Sequence, residues 1–149
     1  MSVLVEFCRF DVIGRPYPQG SKVPFNARNG QARMKESGGA GHAAWRNAVA
    51  EKARDVARTI TVPAPLDGPL MLDVKFRFPA TSSWRKDDRI RGWRWKDTAP
   101  DTSKLVRALE DGLQAAGLIV DDARFVVVRA SKIETTGWVG ATVSVERAP

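Results

Sequence analysis

One stretch constrains this chain more than any other. In residues 70–78, Leu70, Leu72, Val74, Phe76 and Phe78 alternate without a fault against Met71, Asp73, Lys75 and Arg77. A period of two sends one set to a buried sheet face and the other to the opposite face, and Pro79 closes the strand. A chain built around such a strand must supply neighbours for its edges and cover for its apolar side.

The rest of the sequence contains both. Ser2 to Ile13 reads as a strand in which Val3, Val5 and Phe7 alternate before Cys8, Phe10 and Val12 continue in the opposite phase. A phase flip of this kind predicts a β-bulge. A Gly- and Pro-punctuated loop follows over residues 14–22. Asn29-Gly30 predicts a two-residue hairpin turn, with Val23 and Phe25 before it and Ala32 and Met34 after. Glu36 to Gly41 is Gly-rich and reads as a mobile connection. His42 to Ile60 carries Trp45, Val49, Ala53, Val56 and Ile60 at helical spacing, and Pro63 and Pro65 end it. Ala80 to Ala99 has neither period and reads as a long loop. Asp101 to Ala116 is a second helix. Phe125 to Ile133 and Trp138 to Val145 read as strands joined through Thr135-Thr136-Gly137 into a hairpin. The expected architecture is α+β, one domain over residues 1–149, with two main helices packed on one face of a mixed sheet.

Composition narrows the function. The chain has 149 residues, 43% of them apolar, and no run near the ~20 apolar residues that cross a bilayer. Glu6, Arg9 and Asp11 interrupt the apolar N-terminal stretch, which argues against a signal peptide and for a cytoplasmic protein. A single cysteine, Cys8, excludes an internal disulfide and a cysteine-rich zinc site, and reads as a small core residue. Twenty-four Lys and Arg against 17 Asp and Glu leave a net charge of +7, which favours polyanionic partners.

Chemistry concentrates in the last third. Projected at about 100° per residue, Leu105, Val106, Leu109 and Leu113 form the buried stripe of the second helix. Asp101, Lys104, Arg107 and Asp111 fall on the other side, with Ser103 beside Arg107. A solvated face with an Arg107–Asp111 pair accounts for this pattern, and so does a site. Asp121-Asp122 follows five residues past the helix end, where it can fold back toward the helix. Adjacent carboxylates repel unless they are hydrated, paired or holding a cation. Asp101 at the helix N-terminus also suits a cap. Carboxylates converging from a helix start and a following turn, with Lys104 or Arg107 alongside, have the parts for metal-assisted phosphodiester hydrolysis.

Residues 84–96 interleave Trp84, Trp93 and Trp95 with Arg85, Lys86, Arg89, Arg91, Arg94 and Lys96, against only Asp87 and Asp88. Guanidinium groups bind phosphates and indoles stack on unpaired bases, although tryptophans also serve as a lid over a core. Lys22, after Gly20-Ser21, Lys104 and Lys132 join the six basic residues as candidate DNA contacts. His42 has no metal-binding partner in sequence, and neither a P-loop nor a GxGxxG run is present.

The motif Pro100-Asp101-Thr102-Ser103-Lys104-Leu105-Val106-Arg107, with Asp111-Gly112-Leu113 and then Gly117-Leu118-Ile119-Val120-Asp121-Asp122-Ala123-Arg124-Phe125-Val126, resembles the RusA family of Holliday junction resolvases. The two halves align without a gap. Gly14-x-Pro16, Gly20-Ser21-Lys22 and the Trp45-Arg46 helix also fit, so the resemblance spans most of the chain, with residues 80–99 the least comparable. It implies a homodimeric RusA-like α+β nuclease of DNA recombination and repair that nicks four-way DNA junctions with Mg²⁺ or Mn²⁺ held by aspartates. By position, Asp101, Asp121, Asp122 and Arg107 would be catalytic, and Asp101, Asp111, Asp121 and Asp122 would face the metal. Two departures stand out. Ser103 occupies the place of the family's second aspartate, and Arg107 that of its lysine. Arginine keeps the charge but cannot donate a proton near neutral pH. Asp97, Asp111 or Asp121 are the candidates to replace the missing carboxylate. Without a replacement, the resemblance implies a structure-specific branched-DNA-binding protein with weak or no cleavage.

Overall fold

The computed structural model describes residues 5–20, 28, 30 and 39–149, together with the strand backbone of 22–26 and 32–36. The strands are β1 (Glu6–Ile13), β2 (Lys22–Asn26), β3 (Ala32–Glu36), β4 (Leu70–Pro79), β5 (Trp93–Trp95), β6 (Phe125–Thr135) and β7 (Gly140–Arg147). The helices are α1 (Gly39–Thr59), α2 (Lys86–Arg91) and α3 (Thr102–Ala115). Five strands form one mixed sheet in the order β1-β7-β4-β6-β5, and β2 and β3 form a separate antiparallel ladder.

The alternating strand β4 takes the centre of the sheet. Leu70, Leu72, Val74, Phe76 and Phe78 are all buried, in one core with Cys8, Phe10 and Val12 of β1 and Ala141, Val143 and Val145 of β7. Two helices cover that face. α1 contributes Trp45, Val49 and Ala53, spaced by four, and α3 contributes Leu105, Val106, Leu109 and Leu113. Where the helices meet, a Cβ on Gly112 would lie 2.5 Å from Val49 Cγ1, so only the bare backbone fits. Burial raises the Cys8 thiol to about 11, in keeping with a core residue. The bulge in β1 is present: Glu6 pairs with Glu146 and Cys8 with Val145, leaving Phe7 as the extra residue.

Four expectations need correction. First, β6 and β7 do not form a hairpin. Each pairs with β4, β6 in parallel and β7 antiparallel, so β4 lies between them. The strand with the most continuous burial takes the interior position. Residues 136–139 then cross its end, bridging two strand spacings of about 4.8 Å each. Second, residues 80–99 are not an unstructured loop but hold α2 and the edge strand β5. Six residues are too few to show a helical period, and three too few to show alternation. Third, β2 and β3 do pair, but their last pair is Asn26 with Ala32, which leaves residues 27–31 between them instead of a two-residue turn. Asn29 itself lies outside the described residues, as do the side chains of Lys22, Val23, Phe25, Ala32 and Met34 and the start of the expected first strand. Fourth, Gly39–Gly41 belong to the first turn of α1. Among the described residues, no helix is long and apolar enough to cross a membrane.

Candidate functional site

The parallel pairing of β4 with β6 requires a crossover connection, and that crossover carries α3. α3 leads directly into the acidic turn. After the C-cap Ala116, Gly117 takes φ +76, and the N–H of Leu118 donates to the Leu113 carbonyl at 3.1 Å, a helix stop that favours glycine. Leu118 and Ile119 are then buried, and two backbone bonds tie this segment to Leu66: Leu66 N–H to Leu118 O at 2.8 Å and Val120 N–H to Leu66 O at 3.0 Å. The Asp122 N–H donates to Gln114 Oε1 at 3.2 Å, and Arg124 donates to Asp67 Oδ1 at 2.6 Å. Asp121 and Asp122 are therefore held against the C-terminal half of α3, on its flank and not at the helix start where Asp101 stands, so the expected convergence of the two with Asp101 is not seen.

The two adjacent carboxyls are unequal. Asp121 accepts from the Ala123 N–H at 2.7 Å, which pulls it below the usual carboxylate range. Asp122 is pushed above that range, first by its contact with the Asp121 carboxyl, then by burial and by the charges of Asp121 and Asp111. Glu110, one residue before Asp111, belongs to the same group. Burial first, then the charges of Asp122 and Asp111, raise it to about 7, with Arg107 acting in the opposite sense. Sequence reading passed over Glu110. It sits at the margin of the buried stripe, three residues from Arg107, where projection alone does not separate a site residue from a solubilising one.

Asp101 is placed differently. It occupies the N-cap position of α3, yet its side chain makes no capping hydrogen bond. Its carboxylate and that of Asp97 act on Lys132, whose Nζ donates to the carbonyls of Thr98 and Pro100, both at 2.6 Å. Burial and then Lys96 lower the Lys132 ammonium. This lysine fixes the approach to α3. The loop after β1 docks on the same end, with Gln19 N–H on the Lys104 carbonyl at 3.0 Å. A cavity of about 390 Å³ lies there, lined by Arg15, Pro16, Tyr17, Pro18, Phe78, Ala99 and Pro100.

The acidic residues thus fall into two groups: Glu110, Asp111, Asp121 and Asp122 toward one end of α3, and Asp97 and Asp101 at the other. Arg107, Ser103 and Lys104 are exposed on the helix, and among the described residues Arg107 forms no ion pair with Asp111. Among the described residues, no three His, Cys, Asp or Glu side chains converge tightly enough to hold a metal ion by themselves. Mg²⁺ is commonly held by one or two carboxylates plus substrate phosphates. The raised Asp122 carboxyl beside Asp121 is a place where a hard cation relieves repulsion, so the pair fits that mode and not a closed protein cage.

The basic, Trp-rich segment splits as well. Trp84 is buried, and its Nε1 donates to Glu134 Oε1 at 2.8 Å. Arg94 bonds the same carboxylate at 3.1 Å and also Asp88 and Ser83. Lys96 lies 4.0 Å from Glu134 Oε2, and Arg91 pairs with Asp88 at 2.9 Å. Arg94 and Lys96 are therefore internal ties. Lys86 and Arg89 stand exposed on α2 with no ion pair among the described residues, and Arg85 precedes them.

The position of Glu110 makes a testable claim about the metal-free protein. Its folded pKa lies above its ordinary value of 4.5, so its contribution to stability is present below 4.5 and lost as pH rises through about 7. In chelator, Glu110→Gln should remove that decline. Above the folded pKa the variant should be more stable by about 1 kcal/mol, after allowing for solvent screening of a half-exposed group. Urea midpoints on either side of the window check it. Equal differences at both pH values would reject the assignment.

No curated protein matches the chain. One family pattern does, described as endodeoxyribonuclease RusA, and it covers residues 14–146, which takes in the docked loop, the Glu134 anchor and both acidic groups. A match over nearly the whole chain makes this protein a member of the RusA endodeoxyribonuclease family.

Proposed function

We propose that this protein is a divalent-metal-dependent nuclease that resolves four-way DNA junctions by paired nicks, acting as a homodimer. The observation that carries the reading is the group Glu110, Asp111, Asp121 and Asp122 beside Arg107, in which burial and then its acidic neighbours raise Glu110, and the Asp121 carboxyl and then burial raise Asp122. Asp121 and Asp122 would hold Mg²⁺ or Mn²⁺, with Asp111 behind them and DNA phosphate oxygens completing the shell. When bound, the metal polarises the scissile phosphate and supplies an activated water. Arg107 keeps a permanent positive charge on the same helix and stabilises charge that develops on the phosphate. Asp101, released from capping, faces the approach to α3 with Lys132 and orients the strand there. Lys86, Arg89, Arg85 and Lys104 are the proposed phosphate contacts, and their effect should fade with salt.

The test is a synthetic four-way junction incubated with Mg²⁺, with Mn²⁺ and with chelator. Symmetric nicks that require the metal support the reading. Tight junction binding with no nicks under either metal rejects it in favour of a branched-DNA-binding protein. Ser103 in place of aspartate, and the lack of a three-carboxylate group among the described residues, favour that second reading. Ser103→Asp tests where the metal sits. Ser103 stands in the first turn of α3, about 12 Å along the helix from Asp111, so with the metal on Asp121 and Asp122 the variant should nick as the wild type does. A gain of nicking at limiting Mg²⁺ would move the metal to the Asp101 end of the helix.

A further inference from the structure

The face of the sheet that the helices leave open carries a second feature. On it, β4 presents Met71, Asp73, Lys75 and Arg77. The register of β5 with β6 pairs Trp95 with Ile133 and Trp93 with Thr135. Lys75, Gly92, Trp93, Trp95, Ile133 and Thr135 line a cavity of about 260 Å³, and no carboxylate is in that lining. The two indoles stand edge to face, centroids 5.2 Å apart and planes at 87°, and form a corner. Trp95 is 61% exposed, a large cost for an indole that no contact explains. Lys75 is exposed and has no ion pair among the described residues. The Arg91 guanidinium lies 5.3 Å from the Trp93 ring, and that of Arg77 lies 4.3 Å from the Trp138 ring.

An aromatic corner with Lys75 at its edge, unpaired among the described residues, and no carboxylate in its lining suits a flat ring joined to an anion. We propose that this shelf holds one unpaired nucleotide of a DNA strand, its base against Trp95 and its phosphate toward Lys75. The proposal rests on the DNA-processing reading only for the identity of the polymer. The shelf lies on the opposite face of the sheet from α3, so it grips a strand away from the acidic turn. It gives a preference for open or distorted DNA, where bases are already unstacked and no pairing must be broken to fill it. A second copy of the chain suits the shelf less well, because it brings another +7 against the Lys75 ammonium.

The test is fluorescence anisotropy of a dye-labelled oligothymidylate at fixed salt, in chelator, with the full chain. Trp95→Ala should weaken binding about tenfold or more, the range for loss of one base–aromatic stack. Trp95→Phe should restore most of it. Lys75→Gln should lower the slope of log affinity against log salt by about 0.7, one phosphate's share for a single strand. Wild-type affinity in Trp95→Ala overturns the proposal. So does a smaller species in sedimentation with unchanged oligothymidylate binding, which would make the patch a protein contact. Thymidine monophosphate that competes at the same concentration as the oligomer also overturns it, because the shelf would then be a nucleotide pocket. The outcome is separable from that of the proposed function. Loss of oligothymidylate binding in Trp95→Ala, with wild-type junctions left uncut, upholds the shelf and rejects the nuclease. Cut junctions with unaltered binding do the reverse.

Discussion

Asp122→Asn should reduce nicking of a four-way junction by about two to three orders of magnitude, the scale for losing a group that organises charge at a phosphate. Three observations locate the effect at this residue. Its backbone is fixed by Gln114, its carboxyl lies against that of Asp121, and Asp111 adds further negative potential. The asparagine keeps the shape and removes the charge. Binding of the junction in chelator should therefore hold or tighten, since one repulsion against phosphate is gone. Gel-shift and cleavage assays on the same preparation check both halves. A variant that nicks at the wild-type rate would remove Asp122 from the site, and one that also loses binding would point to misfolding.

Glu134→Ala should destabilise the protein by about 3–5 kcal/mol, the range for removing one partner of a buried ion pair. Glu134 is only 2% exposed and serves Trp84 Nε1, Arg94 and Thr81 through one oxygen, with Lys96 near the other. Truncation strands the indole N–H and leaves Arg94 to Asp88, Ser83 and Thr81. Glu134→Gln keeps an acceptor for Trp84 and should cost about 1–2 kcal/mol. Urea unfolding measures both. A loss below about 1 kcal/mol for the alanine variant would mean that water replaces the carboxylate, and that α2 and β5 are held by other contacts.

The sequence made some of this plain and hid the rest for identifiable reasons. β4 and the buried stripe of α3 were legible because each runs long enough for its period to emerge. The bulge in β1 was legible because a phase flip leaves a mark in the alternation. Strand order was not. Thr135-Thr136-Gly137 looks the same whether it closes a hairpin or crosses over a third strand, and only the burial of β4 decides between them. At the site, Asp121 and Asp122 stood out as an adjacent pair. Glu110 did not, since its interest lies in half-burial beside two other acids. The basic segment shows the opposite limit. Composition put Arg94 and Lys96 with the DNA contacts, whereas Glu134, forty residues after Arg94 in the chain, claims both.

The contact between Gly112 and Val49 makes those two positions a single packing unit shared by α1 and α3. The two positions fill one space, so a methyl gained at 112 calls for room made at 49. Gly112→Ala alone forces the helices apart, and because Asp111 and Glu110 are its immediate neighbours on α3, the displacement reaches the acidic turn. Val49→Ala on the other helix makes room and returns α3 to its seat. One missing side chain between the helices thus bears on the setting of the carboxylates.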